Sequence, residues 1–118
     1  MNCRAVLLAG ELKREQLVDD IFKAVEQDRT AVWAASIALQ KLRRFVSTRD
    51  VEKLLVAKSE ARDITDLCKL LAALGDQKTV GFLKKLSIDI KYSDHVRQSL
   101  SDGAKRLEKR LADSGLLP

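Results

Sequence analysis

Residues 31–46 read AVWAASIALQKLRRFV. Val32, Ala35, Leu39, Leu42 and Val46 recur at three- and four-residue spacing, so a helix puts them on one stripe, which Trp33, Ile37 and Phe45 widen. A strand would scatter the same residues over two faces. Upstream, Leu17, Val18, Ile21, Phe22 and Val25 make a second stripe of the same period, on a helix expected over residues 11–27. Only Asp28-Arg29-Thr30 separates the two, and Asp28 and Thr30 both carry side-chain oxygens suited to capping the second helix. A link this short between amphipathic helices gives an antiparallel hairpin. The fold class follows: all-α.

The same period continues downstream. Ser47 or Thr48 is placed to cap a short third helix carrying Val51, Leu54 and Leu55, with Asp50 approximating a capping box. A polar turn over 58–62 leads to a fourth helix, capped by Ser59 or Asp63, whose stripe is Ile64, Leu67, Cys68, Leu71 and Leu74. Gly75 follows, where a left-handed residue costs least. Asp76 restarts a fifth helix through Val80, Leu83 and Leu86, with Phe82 beside them. Ile88-Asp89-Ile90-Lys91-Tyr92 alternates like a strand, but a strand needs a partner and no second one is present, so an extended connector is expected. Ser93 or Asp94 caps the last helix, with Val96, Leu100, Ala104, Leu107 and Leu111 on one face and Gly103 as the expected place for a kink. Gly115 ends it. The expectation is a compact bundle of five or six short helices: a flexible N-terminus over residues 1–10, one domain over 11–115 and a tail over 116–118.

Composition agrees. With 46% hydrophobic residues the chain has the apolar content of a folded domain rather than a disordered one. Five glycines and a single terminal proline leave too few turn-formers for a sandwich or barrel. The apolar run Ala5 to Ala9 is shorter than the about 7 to 15 residues of a signal peptide core, and no window approaches the roughly 18 apolar residues of a membrane span. A soluble intracellular protein with no membrane contact is expected. Cys3 and Cys68, far apart in sequence, make neither a disulfide framework nor a zinc site, which fits a reducing cytosol or nucleus.

No motif announces catalysis. His95 stands in a polar helix start with no nucleophile placed beside it by any recognisable pattern. Asp19 and Asp20 are adjacent and point to different sides of a helix, so that spacing does not make a metal pair. Gly75 and Gly81 lack the lysine–serine or lysine–threonine ending of a phosphate loop. The chain is therefore expected not to be an enzyme and to hold no metal and no cofactor. Its net charge of +5 gathers in part on the last helix, where Lys105, Arg106, Lys109 and Arg110 lie opposite the leucine stripe. Such a face contacts phosphates in nucleic acids, or is a solvated face near a helix C-terminus that favours cations. Only 4% of the residues are aromatic, which leaves little to stack on single-stranded bases. An acidic peptide would use the same positive field. Trp33, the one tryptophan, either packs in the hairpin or anchors a partner.

Ala38-Leu39-Gln40-Lys41-Leu42, then Val46-Ser47-Thr48 with Val51 and Leu54, then Ile64, Leu67 and Leu70, then Ala104-Lys105-Arg106-Leu107 with Leu111, follow one another in an order that resembles the N-terminal (LW) domain of the transcription elongation factor TFIIS. Leu111 stands where that family has tryptophan, the isoleucine–glycine pair of its fourth helix is missing, and residues 75–92 look like an insertion. The resemblance, over residues 16–111, implies a right-handed helical bundle and a non-enzymatic module, a nuclear monomer docking short acidic or aromatic-containing motifs of transcription elongation or chromatin proteins. It implies a pocket between two interhelical loops, with Asp28 accepting from the peptide backbone, Leu74 and Val80 lining an apolar notch and Lys84 meeting an acidic flank. An armadillo- or HEAT-like helical scaffold in nucleus or cytoplasm, and nucleic-acid binding through the basic last helix, are the alternative readings.

Overall fold

The apolar stripes of the sequence become the buried faces of helices in the computed structural model, which describes residues 1–115; the expected tail lies outside the described residues. The elements in chain order are α1 (Cys3–Leu12), α2 (Gln16–Glu26), α3 (Val32–Lys41), a one-turn 3-10 helix (Arg43–Phe45), α4 (Thr48–Ala57), α5 (Ala61–Leu74), α6 (Gln77–Ser87) and α7 (Asp94–Asp113). The described residues are thus all-helical, with seven α-helices where five or six were expected.

Helices α1, α3, α5 and α7 form a row, each packed on the next, while α2 leans on α3, α4 on α5 and α6 on α7. Directions follow from side-chain contacts. Cys3 at the start of α1 meets Thr30 and Ala31 at the start of α3, and Glu11 pairs with Lys41 at their far ends, so α1 and α3 run parallel. Cys68 faces Ser99, and Arg110 reaches Ala72 and Gly75, so α5 and α7 run parallel too. The Cα extents of 36 × 33 × 17 Å match two helical layers, since packed helix axes lie about 8–10 Å apart. Ile21, Leu39, Leu55, Leu67, Leu83 and Leu107 are sealed between the layers. Each such side chain contributes roughly 1.5–3 kcal/mol of hydrophobic stabilisation.

Several expectations need correction. Residues 1–10 are not a flexible terminus: Asn2 caps α1 by accepting from the Ala5 amide, and Val6, Ala9 and Gly10 are buried. The expected helix over 11–27 is two helices, broken where Lys13 adopts a left-handed backbone, φ 52°. The helix expected over 31–46 ends at Lys41 and tightens into the 3-10 turn. Asp28 does not cap α3. With φ 55° it terminates α2: the Arg29 amide bonds Ala24 O at 2.8 Å and the Asp28 amide bonds Val25 O at 3.1 Å, the paired bonds of a Schellman motif. The start of α3 is satisfied from a distance, the Ala31 amide donating to Cys3 Sγ at 3.3 Å.

Gly75 is extended (φ −73°, ψ 167°) rather than left-handed, and it is needed for space, because a β-carbon there would collide with the Thr79 side chain and Leu71 O. Ser47 and Glu60 occupy the cap positions of α4 and α5 without side-chain bonds, so neither Ser59 nor Asp63 caps. Asp76 does cap α6, in a reciprocal box with Thr79, and Ser93 caps α7. Residues 88–92 are successive turns, Asp89 N to Leu86 O and Tyr92 N to Asp89 O, rather than an extended connector. Gly103 does not interrupt α7, which is one continuous helix for 20 residues.

Candidate functional site

Helix α3 is apolar nearly all round, and such a helix buries most of its faces. Ala34, Ala35, Ala38 and Leu39 are enclosed by α1, α2 and α5. The remaining face carries Trp33 and Ile37, one turn apart and 41% and 43% exposed, so the tryptophan is only partly packed. Beside them runs a cleft of about 220 Å³ between α3 and α5, completed by Ser36, Gln40, Asp66, Lys69 and Leu70. A second cleft, of about 160 Å³, separates α5 from α7 and is lined by Thr65, Cys68, Lys69, Ala72, Ser99, Asp102, Gly103 and Arg106. Lys69 borders both, so the two clefts form one continuous face across the row of helices.

Two hydroxyls are sealed beneath the clefts. Ser36 Oγ and Thr65 Oγ1 are buried without a hydrogen-bond partner, one in each cleft. A buried hydroxyl left so forfeits about 1–3 kcal/mol relative to a satisfied one. Burial pushes the Cys68 thiol up to about 11, slightly offset by Arg106, so it is a neutral thiol facing Ser99 O. Cys3 is the opposite: the Thr30 hydroxyl and then the Ala31 amide donate to its sulfur and hold its pKa below the usual thiol value.

Asp28, Leu74, Val80 and Lys84 are not gathered into one pocket. Asp28 lies between α2 and α3, exposed, with Lys58 Nζ at 3.2 Å from its carboxylate and 3.0 Å from Val25 O. Leu74 and Val80 flank the α5–α6 link, at the other end of the helices, where Arg110 from the last turns of α7 reaches Gly75 O. Val80 is buried and Leu74 half-buried. Lys84 is held 2.8 Å from Glu108. On α7, Lys105, Arg106 and Lys109 are exposed and make no ion pair among the described residues. Arg110 differs: its Nε donates to Ala72 O at 3.1 Å and its guanidinium also bonds Gly75 O, so it caps the C-terminus of α5. His95 is exposed in the first turn of α7.

No family model, no curated protein and no solved structure matches the chain. Among the described residues no group of three histidine, cysteine or acidic side chains is placed to hold a metal, and no helix is long and apolar enough to cross a membrane. Ser36, Thr65 and Lys69 are the site residues that sequence reading passes over. Ile37 reads from the sequence as part of a widened stripe and Trp33 as either hairpin packing or a partner anchor, and the signal for exposure was the excess of apolar positions on α3 over what one buried face needs.

Proposed function

We propose that the chain is a non-enzymatic protein-interaction module that docks short disordered segments, acidic or aromatic-containing, of partner proteins, and acts as a monomer. The observation that carries this reading is the Trp33–Ile37 pair left in solvent beside the cation Lys69, with Arg106 in the neighbouring cleft. Tryptophan and arginine are the side chains that interfaces favour. Transcription elongation or chromatin proteins, a nuclear setting and a right-handed TFIIS-like arrangement are supported by the sequence resemblance alone.

The armadillo- or HEAT-like alternative has its own support. A row of helices backed by a second row, with α1 parallel to α3 and α5 parallel to α7, is how stacked helical hairpins are built, and such stacks present the row as a binding face. Both readings lead to docking. Nucleic-acid binding through α7 stays secondary, because Arg110 is occupied by backbone carbonyls. Titration of the isotope-labelled chain with acidic, phenylalanine-containing peptides tests the reading. Saturable amide shifts support it, and a spectrum unchanged at every residue rejects it.

A further inference from the structure

We infer that the outer face of α3, α5 and α7 is the docking groove, and that its occupant is an extended acidic segment with one large apolar side chain at the α3 end. This rests on the docking function proposed above and gives it a place and a ligand chemistry.

The face is graded. At α3 it is uncharged, with Trp33 and Ile37 rising over Leu70. At α5 and α7 helical spacing aligns exposed Arg62 and Lys69 with half-buried Asp66 on one ridge, and exposed Asp102, Lys105, Arg106 and Lys109 on the next. Five cations thus stand against two carboxylates. Asp102 is moreover engaged by Gln98 Nε2 at 2.9 Å, whereas Lys69 and Arg106 form no ion pair among the described residues. A segment crossing from α3 to α7 spans two interaxial steps, about 20 Å, or about six residues of extended chain. The apolar side chain then fills the cleft beside Trp33, and the segment's carboxylates reach Lys69 and Arg106.

Trp33 is the only tryptophan and reports directly on the site. The probe is a pool of seven-residue peptides of aspartate and glutamate with one phenylalanine or leucine, added to the full chain. The expected result is a blue shift of Trp33 emission, with amide shifts concentrated in residues 33–40, 65–72 and 99–106. Lys69→Glu with Arg106→Glu, both exposed and compatible with the fold, should weaken binding at least tenfold, and Ile37→Ser should weaken it while helicity is retained. Binding that maps instead to residues 27–30 and 74–80 would overturn the groove while leaving the docking function intact. Absence of peptide binding anywhere overturns both. An oligonucleotide bound on this face in place of the peptides overturns the acidic-segment identity.

Discussion

Cys68 on α5 and Gly103 on α7 meet with no room between them: a β-carbon at position 103 would fall inside the van der Waals shell of Cys68 Sγ. The absent side chain lets the two helices approach, and Gly103 is accordingly buried. Gly103→Ala should therefore destabilise the protein by about 1–3 kcal/mol through overpacking, even though alanine is favoured over glycine in a helix by about 1 kcal/mol. Adding Cys68→Ala removes the obstructing sulfur and should recover most of the loss. Urea unfolding of the two variants measures both effects, and an unchanged midpoint for Gly103→Ala would show that the helices simply move apart.

The same cysteine sets a pH dependence. Its folded pKa of about 11 stands above the ordinary thiol value of 9.0, so between those pH values the unfolded chain loses a proton that the folded chain keeps. The stability from burying the neutral thiol is fully present below pH 9 and is lost as pH rises through 11, a decline of about 3 kcal/mol. Cys68→Ala removes this contribution, so its stability should fall less steeply than wild type over that range. Parallel slopes in thermal melts at pH 8, 9, 10 and 11 would contradict the assignment.

What the sequence made legible was periodicity. Leu39 and Leu42, Leu54 and Leu55, Leu67 and Leu71, Leu100 and Leu107 are buried where helical spacing put them. What it hid was close approach and distant partnership. Gly10 and Ala9 carry little hydrophobic signal, yet they are what α1 packs with: a β-carbon on Gly10 would press on Ala38 Cα. Asp28 has the chemistry of a cap and is used instead for its tolerance of a left-handed backbone. The groove face was illegible for a related reason. Whether Trp33 and Ile37 are covered depends on where α1 and α5 lie, which no local pattern encodes.

The packed N-terminus has a measurable consequence. Val6 is fully buried against the core, so Val6→Ala should cost roughly 1–3 kcal/mol from lost burial and the cavity left behind. A flexible terminus would give no change. Limited proteolysis offers a second reading: cleavage after Arg4 should be slow in the native protein and faster in Val6→Ala.

Arg110 separates structure from charge on the last helix. Arg110→Ala leaves Ala72 O and Gly75 O without their donors at the end of α5, and hydrogen bonds from a charged group are each worth about 1.5–3 kcal/mol. A lowered melting temperature is expected. Lys105→Glu, Arg106→Glu and Lys109→Glu together alter only exposed positions and should leave the helical content unchanged. Reversing all four charges would therefore confound unfolding with loss of binding, and circular dichroism of the triple and quadruple variants shows which has occurred.

The two thiols should differ sharply in reactivity, and the difference tests the junction of α1 with α3. Donation from the Thr30 hydroxyl and the Ala31 amide favours the thiolate of half-buried Cys3, while Cys68 is sealed and kept neutral. The thiolate is the nucleophile, so a disulfide reagent at neutral pH should label Cys3 first and reach Cys68 only through opening of the fold. Thr30→Val removes the larger of the two donors, raises the Cys3 pKa and should move the pH midpoint of its labelling upward. The Ala31 amide would still donate, so part of the depression should persist. If Thr30→Val instead left the midpoint in place, the hydroxyl would not be pointing at the sulfur, and the distant cap on α3 would rest on the Ala31 amide alone.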